Sequence, residues 1–411
     1  MTDKPNTFVG LDMSGALTRC LVAVADGEQL RYLSCGVMPP VRWDDSEATT
    51  NDATAESVYE VIREAEESGG ATIVSAVVGI GAAGVASQLV HTGITLASCE
   101  IEIGPLDVQA VLAKAEQGLA YSGTTALQLV PLEFAAGRCS GLRDPIGYPA
   151  SRLEAFVRIV SVRKSDHDSI TAMVNEAGVG VKDTVLGGFA AALGTLTQAE
   201  MGEGVAHIDF GKAASSLTVY RRGCLRLAIG LPIGRDDLLE DIARSLKTST
   251  SVASSLITDF GRIEFDLGQD GASVFVPGSD PQDPVGSGAM RSCKLVNEII
   301  TRRVNDCFEM AHGEIREIAA QGDFVRSVVL TGDIAALPGI LEKARSVLCV
   351  DARVGLPSKL HDLPPTLQHP GWACAVGAVS YAHQLAYWQQ RNTHKQERLA
   401  SSGLRQEEVI P

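Results

Sequence analysis

The sequence predicts an α/β fold built from two related halves that face each other across a cleft. Three observations carry this. First, a strand-strand-strand-helix order occurs twice, as "FVGLDMSG", "TRCLVAVAD" and "LRYLSCGVMP" near the start, and as "HIDFG", "SSLTVYRRG" and "CLRLAIGLPIG" in the middle of the chain. Second, aligning the two copies sets Asp12 over Asp209 and "SCGVMPP" over "AIGLPIG", the signature of an internal duplication. Third, 411 residues with 45% hydrophobic, 21% charged and 5% aromatic content, and 41 glycines, exceed one ordinary core but suit a globular α/β chain. Each sheet needs helices to cover it, so a ligand would sit between the halves.

The elements follow in order. The first meander turns at Asp26-Gly27 and is followed by a polar stretch, residues 42 to 53. A helix is expected from Thr54 to about Ser68, with Val58, Ile62 and Ala65 on one face, then a buried strand, "TIVSAVVGI". Between the halves, "QLVHTGITLAS", the amphipathic "PLDVQAVLAKAEQGLA", "LQLVPLEF" and "RLEAFVRIVSV" around the loop "GLRDPIGYP" predict a small α+β insertion. A helix in "DHDSITAMVNEAGV" and a tightly packed one in "LGGFAAALGTLTQAE" lead to the second copy, which turns at Arg222-Gly223 and continues into the helix "DDLLEDIARSLK". From "KTSTSVASSLITDFG" to "QGDF" a second insertion is expected, with the loop "VPGSDPQDPVGSG" and a long helix from about Met290 to Ala320. "VRSVVLTGDIAALPGILEKARSVL" reads as strand, glycine turn and helix, and "GWACAVGAVSYAHQLAYWQQR" as a final helix before a polar, frayed tail.

Composition excludes several functions. A net charge of −15 and the lack of Lys/Arg runs with interleaved aromatics argue against nucleic acid and against a basic membrane-binding patch. "MTDKPNTFVG" lacks a signal peptide and no apolar run approaches the ~20 residues that span a bilayer, which predicts a cytoplasmic chain. Nine cysteines without a C-x-x-C pair and eight histidines without ligand spacing predict reduced thiols and no metal centre. "GIGAAG", residues 79 to 84, is a literal G-x-G-x-x-G with Glu100 downstream, but "VASQLVHTG" after it alternates like a strand. A dinucleotide site needs a helix there, so a strand entering the insertion is the preferred reading.

The trio "GLDMSG", "HIDFGKAAS" and "VVLTGDIAALPG" resembles the two phosphate segments and the adenosine segment of the actin and sugar-kinase superfamily. The resemblance implies an actin-like ATPase fold of two ribonuclease-H-like lobes, with Asp12, Ser14, Gly15, Asp209, Gly211, Lys212, Gly332 and Asp333 as nucleotide-site residues. Turn-capping aspartates are the bland alternative for Asp12 and Asp209.

Within that superfamily, residues 7 to 390 are similar to FtsA, the bacterial cell-division actin homologue. "LVPLEF" and "LRDPIGYPASRLEAFVRIVS" resemble its 1C subdomain, "LPIGRDDLLEDIARSLKTS" its connecting helix, and "EIITRRVNDCFEMAHGEI" the second-lobe helix where the residue matching Arg303 is associated with the FtsZ tail. The implied units are first-lobe core 1A at 1–83, 163–204 and 371–390, 1C at 84–162, second-lobe core 2A at 205–243 and 325–370, insertion 2B at 244–324, and a tail at 391–411. The implied function is a divisome scaffold at the inner face of the membrane. It would bind the FtsZ C-terminal peptide, assemble head to tail and recruit later division proteins through 1C.

Several positions depart from the family pattern. Leu17 replaces the lysine of the first turn, Lys212 and Ala213 replace glycines of the second, and Ser216 replaces its second aspartate. "ASSLI", Ala253 to Ile257, replaces the ribose-holding A-E-x-L-K, and Asp333 stands where glycine is usual. Added Cβ atoms obstruct backbone approach to phosphate, so ATP is expected to be at most a weak, structural ligand and its hydrolysis negligible. Lys212 could restore one cation only.

The tail differs too, with Leu399, Leu404, Val409 and Ile410 interrupted by Ser401, Ser402 and Gly403, a poor amphipathic anchor. "HQLAYWQQR", with Leu385, Tyr387 and Trp388, is the better anchor candidate, although a helix end packed on its own domain is preferred, so membrane attachment is expected to be weak or indirect. Two rivals are a PilM-like pilus-assembly actin homologue, which shares the subdomain placement, and an active ATP-dependent phosphotransferase. The latter needs an intact glycine-rich second turn and a catalytic base that the sequence does not display.

Overall fold

Strands that lie in the interior of a sheet with helices on both faces read as continuous apolar runs rather than alternating ones, and two such sheets organise the molecule. They are seen in a computed structural model that describes residues 7–27, 29–38, 47–119, 123–263, 273–278 and 288–401. The first sheet has the order Gln29–Met38, Thr18–Asp26, Thr7–Asp12, Ser75–Ile80, Gly180–Leu186. The second has the order Cys224–Leu231, Ser215–Arg221, Val205–Phe210, Ser327–Gly332, Asp351–Val354. In each, the first three strands form an antiparallel meander and the last two add in parallel. The duplication seen in the sequence is therefore a duplication of topology, with Asp12 and Asp209 on equivalent strands.

Helices close both sheets. Val58, Val61, Ile62 and Ala65 of the helix Glu47–Gly69 are buried against the first sheet, each large aliphatic side chain contributing about 1.5–3 kcal/mol of burial. Leu238 and Ile242 of Arg235–Leu246 and Val304, Phe308 and Ala311 of Cys293–Ala320 do the same for the second. Gly187–Thr195 and Ala373–Ser401 pack on each other under the first sheet, joining Ala190 and Ala191 to Ala375 and Val379.

Residues between the halves form a four-stranded antiparallel sheet, Ala86–Thr95, Arg152–Arg163, Thr124–Ala136, Cys139–Leu142, backed by the helix Pro105–Gln117. Its core of Val111, Leu153, Val157 and Ile159 is its own. The insertion also covers the meander edge of the second sheet, since the Gly230 amide donates to the Val85 carbonyl at 3.2 Å and the Ala228 amide to Ser87 Oγ at 3.1 Å. A capped edge is protected from pairing with other chains.

Some expectations need correction. The first long helix starts at Glu47, not Thr54, because its Thr, Asn and Asp residues are accommodated in helix rather than loop. The long second-lobe helix starts at Cys293, where Ser292 Oγ caps it by accepting from the Lys294 amide at 3.2 Å, and Met290 lies in a short strand instead. "LGGFAAALGTLTQAE" is two helices, because Leu196 takes an extended conformation and Thr197 opens a capping box with Glu200. The last helix runs through Ser401, so the tail is helical to that point, and residues 402–411 lie outside the described residues. Most of the loop "VPGSDPQDPVGSG" lies outside them as well. "GIGAAG" leads into the strand Ala86–Thr95, as the alternation indicates.

Candidate functional site at the cleft between the lobes

The two duplicated hairpins meet at the N-terminus of the helix Gly187–Thr195. A Cβ on Gly187 would run into Ser14 of the first hairpin, and one on Gly188 into Ser216 of the second, so glycine at both positions is what lets the hairpins come this close. Asp12 and Ser14 are 1% and 5% exposed, Asp209 and Ser216 6% and 2%, so this is interior rather than surface.

Within the first turn, the amide and Oγ of Ser14 donate to Asp12 Oδ1 at 2.8 and 2.7 Å. Between the turns, the Lys212 amide donates to the Ser14 carbonyl at 2.9 Å. The Gly211 and Lys212 carbonyls accept from Arg235 and Asp236, the first amides of the connecting helix, both at 3.0 Å. A phosphate loop works by aiming unpaired amides at its ligand. Here the Lys212 amide and the N-terminal amides of the connecting helix are committed to protein carbonyls.

Asp209 sits in a buried polar chain with Thr331 and His207. Thr331 Oγ1 donates to Asp209 Oδ1 at 2.7 Å and lies 3.1 Å from His207 Nε2. The single hydroxyl proton is used on Asp209, so His207 carries its own proton on Nε2 and leaves Nδ1 as a bare acceptor. Burial drives the His207 imidazole down to about 3, with Arg353 adding to the effect, so it is neutral at pH 7. Burial raises the Asp209 carboxyl to about 7; Thr331 opposes this, and the charges of Asp12 and Asp333 reinforce it. Asp12 is also raised by burial, against the opposing charge of Arg19.

Arg19, unforeseen from the sequence, completes the cluster. It lies in the strand Thr18–Asp26, 2% exposed, with Nη2 2.6 Å from Asp333 Oδ1 and its guanidinium 5.6 Å from the centre of the Trp372 ring. The signal available was one charged residue inside the otherwise apolar "TRCLVAVA". Asp333 is carried there by Gly332, whose φ of 85° and contact with the Phe210 main chain admit no side chain. Gly15 lies beside Asp12 and Arg19. Asp12, Ser14, Gly15, Asp209, Gly211, Lys212, Gly332 and Asp333 thus converge on one cleft.

The Lys212 ammonium is pulled down by burial and supported by Asp236 of the connecting helix. Ser254, within the altered "ASSLI", accepts from Arg235 Nη2 at 2.8 Å.

Arg303 is elsewhere, on the helix Cys293–Ala320, with Nε 2.6 Å from Asp241 Oδ2. Arg244 and Arg302 approach the same carboxylate at 3.4 and 3.8 Å. These bonds, Arg303 foremost, hold Asp241 below its ordinary range. In the last helix Tyr387 is 53% exposed, while the Trp388 side chain lies outside the described residues. No described helix is long and apolar enough to cross a membrane.

The family model for the cell division protein FtsA matches residues 206–377, and the model for the SHS2 domain inserted in FtsA matches residues 82–161, together more than half of the chain. The chain is 27% identical over 379 residues to the cell division protein FtsA of Pseudomonas aeruginosa, covering 92% of this chain and 89% of that one. It is 24% identical over 377 residues to that of Bacillus subtilis, covering 91% and 83%. Among solved structures, a chain of the PilM–PilN type IV pilus biogenesis complex superposes with a TM-score of 0.65 at 15% identity, covering 92% of this chain and 98% of that one. An MreB of Spiroplasma citri bound to AMPPNP gives 0.50 at 11% identity, covering 95% and 100%. These two likenesses are of fold alone, the actin-like ATPase fold. Two duplicated sheets, an insertion at the place where the SHS2 model matches and a core that matches the FtsA model lead to one assignment: the chain belongs to the FtsA family of bacterial cell division proteins.

Proposed function

We propose that the protein is an FtsA-type division scaffold whose work is binding and self-assembly rather than nucleotide turnover. In this reading the second-lobe insertion, 244–324, takes the C-terminal peptide of FtsZ at the surface around Arg303. The subdomain 84–162 recruits later division proteins, and copies join head to tail on the inner face of the membrane at the division site, attached weakly or through other proteins. Heterologous contacts of that kind generate open filaments. ATP binds poorly at Asp12, Ser14, Gly15, Asp209, Gly211, Lys212, Gly332 and Asp333, and is hydrolysed negligibly.

Family membership supports the scaffold role. The observation that carries the nucleotide half is the hydrogen bond between the Lys212 amide and the Ser14 carbonyl, which spends on protein an amide that a phosphate loop would aim at its ligand. Fluorescence polarisation with a labelled FtsZ C-terminal peptide tests the partner, with a pilus-protein peptide of the PilM-binding type as comparison and Arg303→Ala as control. Saturable binding of the first peptide, weakened by the substitution, is the expected result. Preference for the pilus peptide, or binding of neither, contradicts it.

A further inference from the structure

We infer that Arg19 and Asp333 form an internal latch that holds the two lobes closed in place of a bound nucleotide. The inference deepens the nucleotide-independent reading above and rests on it.

The two residues belong to different lobes. Arg19 extends from the meander of the first sheet, and Asp333 opens the short helical turn after the strand Ser327–Gly332 of the second. Their atoms are 2.6 Å apart, and the side chains are 3% and 24% exposed, so the pair spans the cleft where water is largely excluded. Ionic bonds strengthen as the local dielectric falls, and one partner left alone in such a site is strongly unfavourable. The pair is also built in. Trp372 lies against the guanidinium, and a Cβ on Gly371 would collide with both Asp333 Oδ1 and Arg19 Nη2.

Charge balance explains why a latch is needed. Asp12, Asp209 and Asp333 converge on the cleft, and their carboxylates repel one another. In a nucleotide site such repulsion is relieved by a metal ion and the ligand's surroundings. Arg19 supplies a fixed positive charge that acts on both Asp12 and Asp209 while bonding to Asp333. Its Nε and Nη1 have no hydrogen-bond partner, so the guanidinium is held in the cleft by charge and stacking rather than by a saturated network. His369 stands 3.9 Å from the same Asp333 oxygen and is kept neutral chiefly by burial, so it does not compete for the carboxylate at neutral pH. A second tie between the lobes is the Lys212–Ser14 bond.

A double-mutant cycle on the full-length protein tests the latch, with Arg19→Gln, Asp333→Asn and the double variant followed by thermal unfolding and by small-angle scattering. Each single change is expected to lower Tm and raise the radius of gyration as the cleft opens, and the double variant to be no worse than the more damaging single one. Additive losses, or an unchanged radius of gyration in both singles, overturn the latch. Should Arg19→Gln not fold, Asp333→Asn decides alone by its radius of gyration. Millimolar Mg-ATP is expected to leave the wild-type Tm unmoved, and a rise would show that the latch does not replace a ligand. Failure of the FtsZ peptide to bind sinks the scaffold reading and leaves the cycle's result untouched.

Discussion

Lys212 and Ser14, one from each half of a duplicated hairpin, are joined main chain to main chain at 2.9 Å. A phosphate loop aims unpaired amides at its ligand, and the Lys212 amide is spent on Ser14 instead. In this protein the substitutions that lengthen the side chains of the second turn accompany a main chain turned onto the first. The approach depends on Gly187 and Gly188, which let the helix N-terminus sit against Ser14 and Ser216.

That dependence gives a first prediction. Gly187→Ala places a methyl group on Ser14 and the Ile80 carbonyl, and overpacking of this kind costs about 1–3 kcal/mol. Urea unfolding should show the loss, whereas Gly202→Ala, where a Cβ meets nothing within 4 Å, should not.

Asp209 and His207 predict an unusual pH dependence. The native state keeps the Asp209 proton to about pH 7, while the unfolded chain releases it near the ordinary value of 3.8, so Asp209 destabilises the fold as pH rises through that window. His207 acts oppositely: the unfolded chain takes a proton near 6.5 and the native state refuses it down to about 3, so stability rises with pH. Across pH 4 to 6.5 the two nearly cancel. Asp209→Asn removes one side and keeps an acceptor for Thr331, so its stability should gain a slope of about 1.4 kcal/mol per pH unit relative to the parent. An unchanged slope in denaturant melts at pH 5 and 6.5 would contradict the assignment.

How much of this was legible in the sequence follows from the kind of interaction involved. The duplicated strands, Asp12 over Asp209 and the insertion all show in local pattern, because strand burial and turn chemistry are written in adjacent residues. Arg19 to Asp333 is a contact over 314 positions; each residue departs from its local pattern, one as a charge in an apolar strand and the other as an aspartate at a glycine position, but nothing local joins the two. No periodicity couples them. The commitment of Lys212 to Asp236 was equally hidden, since the helix start at Arg235 and the turn at Gly211 come together only when the second sheet forms. The early start of the first helix was missed for a different reason: Thr, Asn and Asp favour turns locally and were overridden by the longer element.

The ion pair of Glu200 and Arg353 gives a third prediction. Glu200 holds Arg353 through Oε1 at 2.7 Å and Oε2 at 2.9 Å, tying the linker helix Gln198–Glu203 to the strand Asp351–Val354. Burial opposes ionisation, but the Arg353 and Thr197 bonds outweigh it and hold the carboxyl down to about 2. Its contribution is therefore full above about pH 4.5 and is lost as pH falls toward 2. Glu200→Gln should cost roughly 1–2 kcal/mol at pH 7, with the difference from the parent shrinking on acidification.

Arg303 separates binding from stability. Asp241 keeps Arg244 and Arg302 nearby when Arg303 is removed, so Arg303→Ala should cost about 1 kcal/mol or less in thermal melts. The same variant should lose FtsZ-peptide affinity by about tenfold or more, the equivalent of ~1.4 kcal/mol. A large stability loss with unchanged peptide affinity would assign Arg303 to the fold alone.

Isothermal titration calorimetry of Mg-ATP into the purified full-length protein tests the central claim most directly. A cleft closed by the Lys212–Ser14 bond and by Arg19 on Asp333 predicts no saturable heat at micromolar concentrations. A stoichiometric isotherm with micromolar Kd would show that the cleft opens to nucleotide as a working actin-fold ATPase does, and would contradict the account.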